Sequence, residues 1–213
     1  MVIAVDASRL AYAPVPKSGC SSVKAMLMEI DPAQAGQEAG QKNYHAAYPT
    51  RRFRAKRKPL LADFFRFTVV RDPIRRLMSV YTNRVVELRE LHNSRKLRNR
   101  KVLPLDPDPD TFFQNLAAYM HHSWAIKHHA LPAHFFTGPD LGFYDEVYRT
   151  DQMDKVAAAL SDRTGRPVQA KRANASGARL AFDDLAPATR DSLRPYLMRE
   201  YNHLRRYFSN PLA

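Results

Sequence analysis

Residues 17–22 form a short polar segment whose side chains and backbone could bind an anion. Lys17 carries a full positive charge, and Gly19 lets the backbone approach a ligand closely. The segment also offers three hydroxyl donors, which are Ser18, Ser21 and Ser22. A phosphate or a sulfate is the kind of group that such donors and such a charge would hold. The alternative is a turn before an ordinary helix that is capped by Ser21 or Ser22.

The residues on either side of this segment predict a strand before it and a helix after it. The apolar run 10–15 is typical of a short buried strand. After the segment, apolar side chains recur at the spacing of one helix face, at Val23, Met26, Leu27 and Ile30. A strand, a tight loop and a helix in this order direct backbone N–H groups and the positive end of the helix dipole to one place. That arrangement favours an anion in the loop.

A second junction between a strand and a helix carries Arg71 and Ser79. Residues 64–70 are aromatic and β-branched, which predicts a buried strand that ends just before Arg71. Pro73 suits the first position of a helix, and the apolar residues after it keep helical spacing. Because ligands of open α/β sheets lie at the carboxyl ends of strands, we expect Arg71 and Ser79 to bind one anion together.

Together, the two junctions resemble the two cofactor motifs of sulfotransferases that use 3′-phosphoadenosine 5′-phosphosulfate (PAPS). The matching stretches are Pro16-Lys-Ser-Gly-Cys-Ser-Ser22 and Arg71-Asp-Pro-Ile-Arg-Arg-Leu-Met-Ser-Val-Tyr81. The resemblance is closest to the carbohydrate sulfotransferases of the Golgi type and their bacterial relatives, and it continues more loosely to Phe208. The chain departs from that branch at Ala133, where Gln is usual, and at Glu200, where Asp is frequent.

This resemblance implies a fold, a reaction and a set of cofactor contacts. The fold is a single α/β domain over residues 1–213, with a parallel sheet flanked by helices and a P-loop-like loop that binds the phosphosulfate. The reaction moves a sulfuryl group from PAPS to a hydroxyl, with a carbohydrate as the expected acceptor. The cofactor-binding residues are Lys17, Ser18, Gly19, Cys20, Ser21, Ser22, Arg71, Ser79, Arg172, Asn174 and Ser176. For the last three, a basic exposed loop is an equal alternative.

Three residues are candidates for the catalytic groups. By resemblance, Lys17 stabilises the leaving group at the oxygen that bridges sulfate and phosphate. His45 is the first candidate for the base that removes the acceptor proton, because it follows the first helix and because histidine ordinarily titrates near neutral pH. His129 is the second candidate, because it matches the His-x-x-Pro stretch of the family.

We predict no metal site, although histidines cluster between residues 121 and 134. Adjacent histidines do not share a helix face, and no Cys or carboxylate cluster completes a site. The implied reaction needs no metal.

The charge of the chain is concentrated in one segment. The net charge is +13, and residues 51–101 contain 17 Lys and Arg against 4 Asp and Glu, so that 17 − 4 accounts for the whole excess. Such a field attracts anions. We therefore expect residues 84–101, which leave the helix that carries Ser79, to guide an anionic acceptor.

Other features of the sequence bear on location and on rival functions. Cys20 is the only cysteine, which excludes an internal disulfide and fits a reducing compartment. No run is long and apolar enough to span a membrane, and the first residues lack the layout of a signal peptide, so we predict a cytoplasmic protein. A P-loop kinase is the rival enzyme, but its glycine-rich lysine motif and a Mg²⁺ ligand set are absent. A basic nucleic-acid-binding protein would explain the charge but not the two motifs, and we expect no specific nucleic-acid partner.

The remaining patterns predict further elements. Residues 43–48 suggest a strand end or a loop, and residues 93–110 an exposed loop that ends at an Asp cap before a helix over 111–120. A strand is predicted over 144–149. Helices are predicted over 73–93 and 151–164, and a helix pair over 187–208 is divided near Pro195.

Overall fold

The chain forms two compact units, each built from two stretches of sequence. The computed structural model describes residues 2–35, 44–100, 102–170 and 179–213, except for the side chain of Arg100. One unit comprises Met1–Arg71 and Ala133–Ala175 and contains every strand of the described residues, so we call it the sheet unit. The other comprises Asp72–Pro132 and Ser176–Ala213 and is called the helical unit. The α/β class is confirmed, whereas a single domain over residues 1–213 stays a prediction.

The sheet unit is organised around four strands in the order β1-β2-β3-β4. These are β1 (Ile3–Val5), β2 (Leu10–Ala13), β3 (Phe65–Val70) and β4 (Glu146–Arg149). Strands β2, β3 and β4 are parallel, as the sequence predicts, but β1 pairs antiparallel with β2. Burial alternates along β1, with Ile3 and Val5 buried and Ala4 exposed. Because β2, β3 and β4 are parallel, the residues after Ala13, Val70 and Arg149 lie at the same edge of the sheet.

Two helices of the sheet unit pack against alternate residues of the strands. They are α1 (Cys20–Ile30) and α9 (Met153–Thr164), whose buried residues share one cluster with Leu10, Tyr12, Phe67 and Val69. Tyr12 and Phe67 are register partners, and their rings stack with centroids 5.0 Å apart. This packing fixes the amino end of α1 relative to the edge of the sheet. The unit also contains α2 (Tyr44–Ala47), where a strand end or loop was expected, and α8 (His134–Thr137).

The helical unit packs its helices around a separate apolar cluster. The helices are α3 (Pro73–Val80), α4 (Arg95–Arg100), α5 (Pro109–Gln114), α6 (Leu116–His122), α7 (Trp124–Ala130) and α10 (Pro187–His203). Buried members of the cluster include Leu77, Phe112, Tyr119, Ile126 and Leu197. Among the residues that the structure describes, no helix of either unit is long and apolar enough to cross a membrane. The cytoplasmic location stays a prediction.

Three predicted elements of this unit are wrong in detail. The helix over 73–93 is interrupted, because α3 passes into a π-helical turn at Tyr81–Glu87 and Arg89 adopts a left-handed conformation with φ of 46°. The loop over 93–110 contains α4, which buries Leu97, and the cap before α5 is Asp108 rather than Asp110. Residues 187–208 do not form two helices.

One helix, α10, runs through Pro195 without a break. Pro195 has no N–H group, so the carbonyl of Asp191 lacks its helical hydrogen bond. Both residues lie on the exposed side of α10. Water can therefore bond to that carbonyl, and the helix continues. Leu193, Leu197 and Tyr201 of α10 are buried in the apolar cluster of the helical unit.

Candidate functional site

The loop between β2 and α1 turns sharply at two residues with left-handed backbone. Lys17 has φ of 65° and Gly19 has φ of 72°, and the amide of Ser18 donates to the carbonyl of Val15. A positive φ is uncommon for a lysine and costs conformational energy, and strain of this kind clusters at functional sites. The loop therefore presents Lys17 in a conformation that the surrounding structure has to enforce.

The start of α1 has no side-chain cap. Its N-cap residue is Gly19, so the alternative in which Ser21 or Ser22 caps an ordinary helix is wrong. A Cβ atom at position 19 would clash with Cε of Met153, and a side chain there would strain the left-handed backbone, which explains the glycine. Backbone N–H groups in the first turn of a helix have no intrahelical acceptor, and here the cap residue supplies none. A ligand oxygen can accept hydrogen bonds from these N–H groups.

Ser18 adds an orphaned donor to the same loop. Its side chain is 0% exposed, and its Oγ has no hydrogen-bond partner among the residues that the structure describes. Buried hydroxyl groups normally have a partner, because an unsatisfied one costs about 1–3 kcal/mol. The orphaned hydroxyl beside an uncapped helix start fits a loop that receives a polar group from outside the chain.

Arg71 is joined to this loop from the neighbouring strand. Its Nη1 donates to the backbone carbonyl of Lys17 at 3.2 Å, and Thr68 Oγ1 donates to the carbonyl of Ala13 at 2.8 Å. The residues that follow β2 and β3 are thus connected at the same edge of the sheet. Two positive side chains, Lys17 and Arg71, belong to this edge.

His45 lies beside α1, close to the loop. Its Nε2 is 3.1 Å from Oγ of Ser21, and its Nδ1 is 3.3 Å from Nζ of Lys24. The segment that carries it is held along α1 by further bonds, since Tyr48 donates to Asp31 at 2.6 Å. The structure therefore brings His45 next to the segment 17–22, although α2 is a helix and not the expected strand end or loop.

Lys24 is a residue of this site that we did not single out in the sequence. It is 0% exposed, and its Nζ also donates to Thr50 Oγ1 at 2.7 Å. Burial lowers the pKa of the Lys24 amine, because the charged form loses its hydration. The signal was available in the sequence, since Lys24 falls four residues after Cys20 and three before Leu27, on the apolar face of α1.

Ser79 and His129 belong to the helical unit. Ser79 is buried on α3, and its hydroxyl donates to the carbonyl of Arg76 at 2.7 Å, so a phosphate would have to replace that bond. His129 lies on α7, and its Nδ1 donates to the carbonyl of Ala125 at 2.8 Å. In the neutral ring this bond leaves the lone pair on Nε2. That Ser79 shares an anion with Arg71 stays a prediction.

The other predicted contacts have a simpler outcome. Arg172, Asn174 and Ser176 lie outside the described residues. Cys20 is the first residue of α1, and its side chain is buried. Within the described ranges, no three His, Cys, Asp or Glu side chains gather in a way that could hold a metal ion.

A comparison with protein-family models identifies the family. The model of the sulfotransferase family matches residues 1–210, which is nearly the whole chain. The chain therefore belongs to the sulfotransferase family, and the family inferred from the two motifs is confirmed. Membership supports an enzyme that transfers a sulfuryl group. Neither the curated proteins nor the solved structures compared with this chain gave a match.

Proposed function

We propose that this chain transfers a sulfuryl group from PAPS to a hydroxyl of a carbohydrate. The observation that carries the proposal is the loop at residues 17–22, where an orphaned buried hydroxyl, an uncapped helix start and a lysine meet. A bound phosphosulfate would satisfy the Ser18 hydroxyl, would accept hydrogen bonds at the start of α1, and would lie beside the positive charge of Lys17. These features are hydrogen-bond donors and a positive charge, whereas the Mg²⁺ of a kinase needs oxygen ligands.

The residues of the loop fit PAPS, and each would have a distinct task. When bound, PAPS supplies the activated sulfuryl group. Backbone N–H groups of residues 20–22 and the hydroxyl of Ser18 would bind its 5′-phosphosulfate, in the manner of helix starts that hold anions. Lys17 would stabilise the negative charge that develops on the leaving phosphate. Arg71 would pair with the 3′-phosphate as a charged hydrogen-bond donor.

His45 is the proposed base, and Lys24 its positioning residue. To accept a proton at Nε2, the neutral imidazole must carry its own proton on Nδ1, which faces Nζ of Lys24 at 3.3 Å. A charged ammonium cannot accept a hydrogen bond from Nδ1–H, but a neutral amine can. Burial lowers the pKa of Lys24, which is a shift in the direction of the neutral amine.

We expect His45→Ala to reduce kcat by about a hundredfold or more, since general base catalysis contributes about 10²–10⁴. Affinity for adenosine 3′,5′-bisphosphate should change little, because the base contacts the acceptor. His129→Ala tests the rival candidate and should stay active, and single-turnover assays with both variants measure the effect. An inactive His129→Ala enzyme and an active His45→Ala enzyme would assign the base to His129.

Calorimetric titration tests the proposed function itself. The protein should bind adenosine 3′,5′-bisphosphate more tightly than adenosine 5′-monophosphate, because Arg71 contacts the 3′-phosphate. Arg71→Ala should weaken binding of the bisphosphate by at least about tenfold, as expected for a charged hydrogen bond, and should remove the preference. Arg75→Ala, an exposed neighbour, is the control. Tighter binding of ATP with Mg²⁺ would favour a kinase, and tighter binding of an oligonucleotide would favour a nucleic-acid-binding protein.

A further inference from the structure

The helical unit carries a surface pocket whose lining residues are not among the site residues described above. Its volume is about 450 Å³, which is within the roughly 300–1,000 Å³ typical of small-molecule sites. Residues that line it include Asn93, Arg95, Lys96, His121, Trp124 and Lys127. They come from the residues around the start of α4, from the end of α6 and from the first turn of α7.

The walls of this pocket are tied to the core of the unit. Ser94 Oγ donates to the carbonyl of His122 at 2.8 Å, which joins the start of α4 to the end of α6. Leu97 on α4 and Ile126 on α7 are both buried in the apolar cluster. The pocket is therefore formed by anchored helices, and its shape does not depend on a free loop.

Trp124 gives the pocket an aromatic surface. It is the single tryptophan of the chain, and it is 75% exposed, the largest exposure of any large apolar residue described. Its ring stacks on His128, with centroids 5.0 Å apart and planes inclined by 14°. One face is thus supported by the protein while most of the ring remains open to solvent. A rigid, supported indole is suited to stacking on the C–H face of a sugar ring.

The charges around the pocket select for an anion. Arg95, Lys96 and Lys127 are all exposed lining residues. The lining also includes the carboxylate of Glu90, but its Oε1 accepts a bond from Arg84 Nη1 at 2.7 Å. Three cations therefore face one carboxylate that is already paired. A carboxylate or sulfate substituent on a ligand would complement this excess.

We propose that this pocket binds an anionic saccharide unit, with the sugar ring against Trp124 and its acidic group against Arg95, Lys96 and Lys127. The proposal rests on the proposed function, since the saccharide is part of the acceptor. A saccharide fits better than a nucleic acid, because strands of nucleic acid bind along grooves with successive stacking rings, whereas this pocket has one tryptophan. Within residues 84–101, which we expect to guide an anionic acceptor, the proposal assigns this role to Arg95 and Lys96.

The lone tryptophan makes the test direct, because any change in indole fluorescence reports on Trp124. Titration of the full chain with tetragalacturonate, without nucleotide, should give a saturable change, and the neutral maltotetraose should bind at least about tenfold more weakly. Arg95→Glu should weaken tetragalacturonate binding by about tenfold or more. Arg98→Glu has the same change of charge on the same helix but lies outside the pocket, so its effect should stay below about twofold at 0.1 M salt. Trp124→Ala, followed by calorimetry, should lose most of the affinity.

Three outcomes would overturn the proposal. One is the absence of a saturable change, and another is an equal effect of Arg95→Glu and Arg98→Glu, which would indicate a diffuse charge effect. The third is tighter binding of oligothymidylate than of tetragalacturonate, which would make this a nucleic-acid surface. Because nucleotide is absent from the titration, its result is independent of adenosine 3′,5′-bisphosphate binding. If the wild type did not bind adenosine 3′,5′-bisphosphate, that result would instead contradict the proposed function.

Discussion

Replacement of Lys17 by Ala should lower kcat by about two to four orders of magnitude, because one preorganised charge at a leaving group contributes that much to catalysis. Binding of adenosine 3′,5′-bisphosphate should fall much less, since backbone N–H groups and Arg71 remain. The bond from Arg71 Nη1 is made to the backbone carbonyl of Lys17, so the substitution retains it. The measurements are single-turnover rates and calorimetric titration with the bisphosphate.

Two further variants separate the charge of Lys17 from its packing and from the net charge of the chain. Lys17→Met keeps most of the side-chain length and should be as slow as Lys17→Ala. Lys155→Ala removes an exposed lysine of α9 and should leave kcat unchanged. If Lys17→Met retains more than about a tenth of the wild-type turnover, the leaving group is stabilised by another residue.

Replacement of Glu200 by Gln should lower the free energy of unfolding by about 3–5 kcal/mol. Arg76 and Glu200 form an ion pair inside the helical unit, with each side chain 1% exposed and Nη2 2.8 Å from Oε2. Removal of the carboxylate charge leaves the buried guanidinium without its counter-charge, which is more costly than loss of the pair as a whole. Chemical denaturation monitored by circular dichroism measures the change.

Two control variants make this second prediction specific. The double replacement Arg76→Met with Glu200→Leu should recover at least half of the loss, because no buried charge remains. Asp151→Asn removes one partner of the ion pair with Arg149, whose side chains are 67% and 42% exposed, and it should cost less than about 1 kcal/mol. A loss from Glu200→Gln that is no larger than the loss from Asp151→Asn would contradict the assigned role of the pair.

The Arg76 pair also explains part of the second motif. The guanidinium of Arg76 donates to the carbonyls of His129 and Leu131, at 3.2 and 3.0 Å, and to the hydroxyl of Tyr196 at 2.7 Å. Within the same motif, Asp72 caps α3 and accepts a bond from the hydroxyl of Tyr201 at 2.7 Å. Residues that match a cofactor motif therefore also join α3, α7 and α10. Arg76 and Asp72 act in the packing of the helical unit.

Much of the site follows from local sequence. The order of strand, loop and helix around residues 17–22 is correct, and so is the strand that ends before Arg71, because residue type and spacing decide these elements over a few residues. The predicted boundaries fail where neighbouring segments determine the outcome. Helix α10 continues through Pro195 because the lost bond faces water, and α4 forms in an expected loop because Leu97 finds an apolar cluster.

The sequence by itself determined the family, the loop with its charges, and the parallel strands that bring the loop to the edge of a sheet. Tertiary structure alone decided which groups face the buried charged side chains. Lys24 meets His45 across 21 positions, and Arg76 meets Glu200 across 124. The physical reason is that helix periodicity identifies a buried face but not the group that packs against it. The buried lysine and the buried ion pair acquire their roles from partners that lie far away in the sequence.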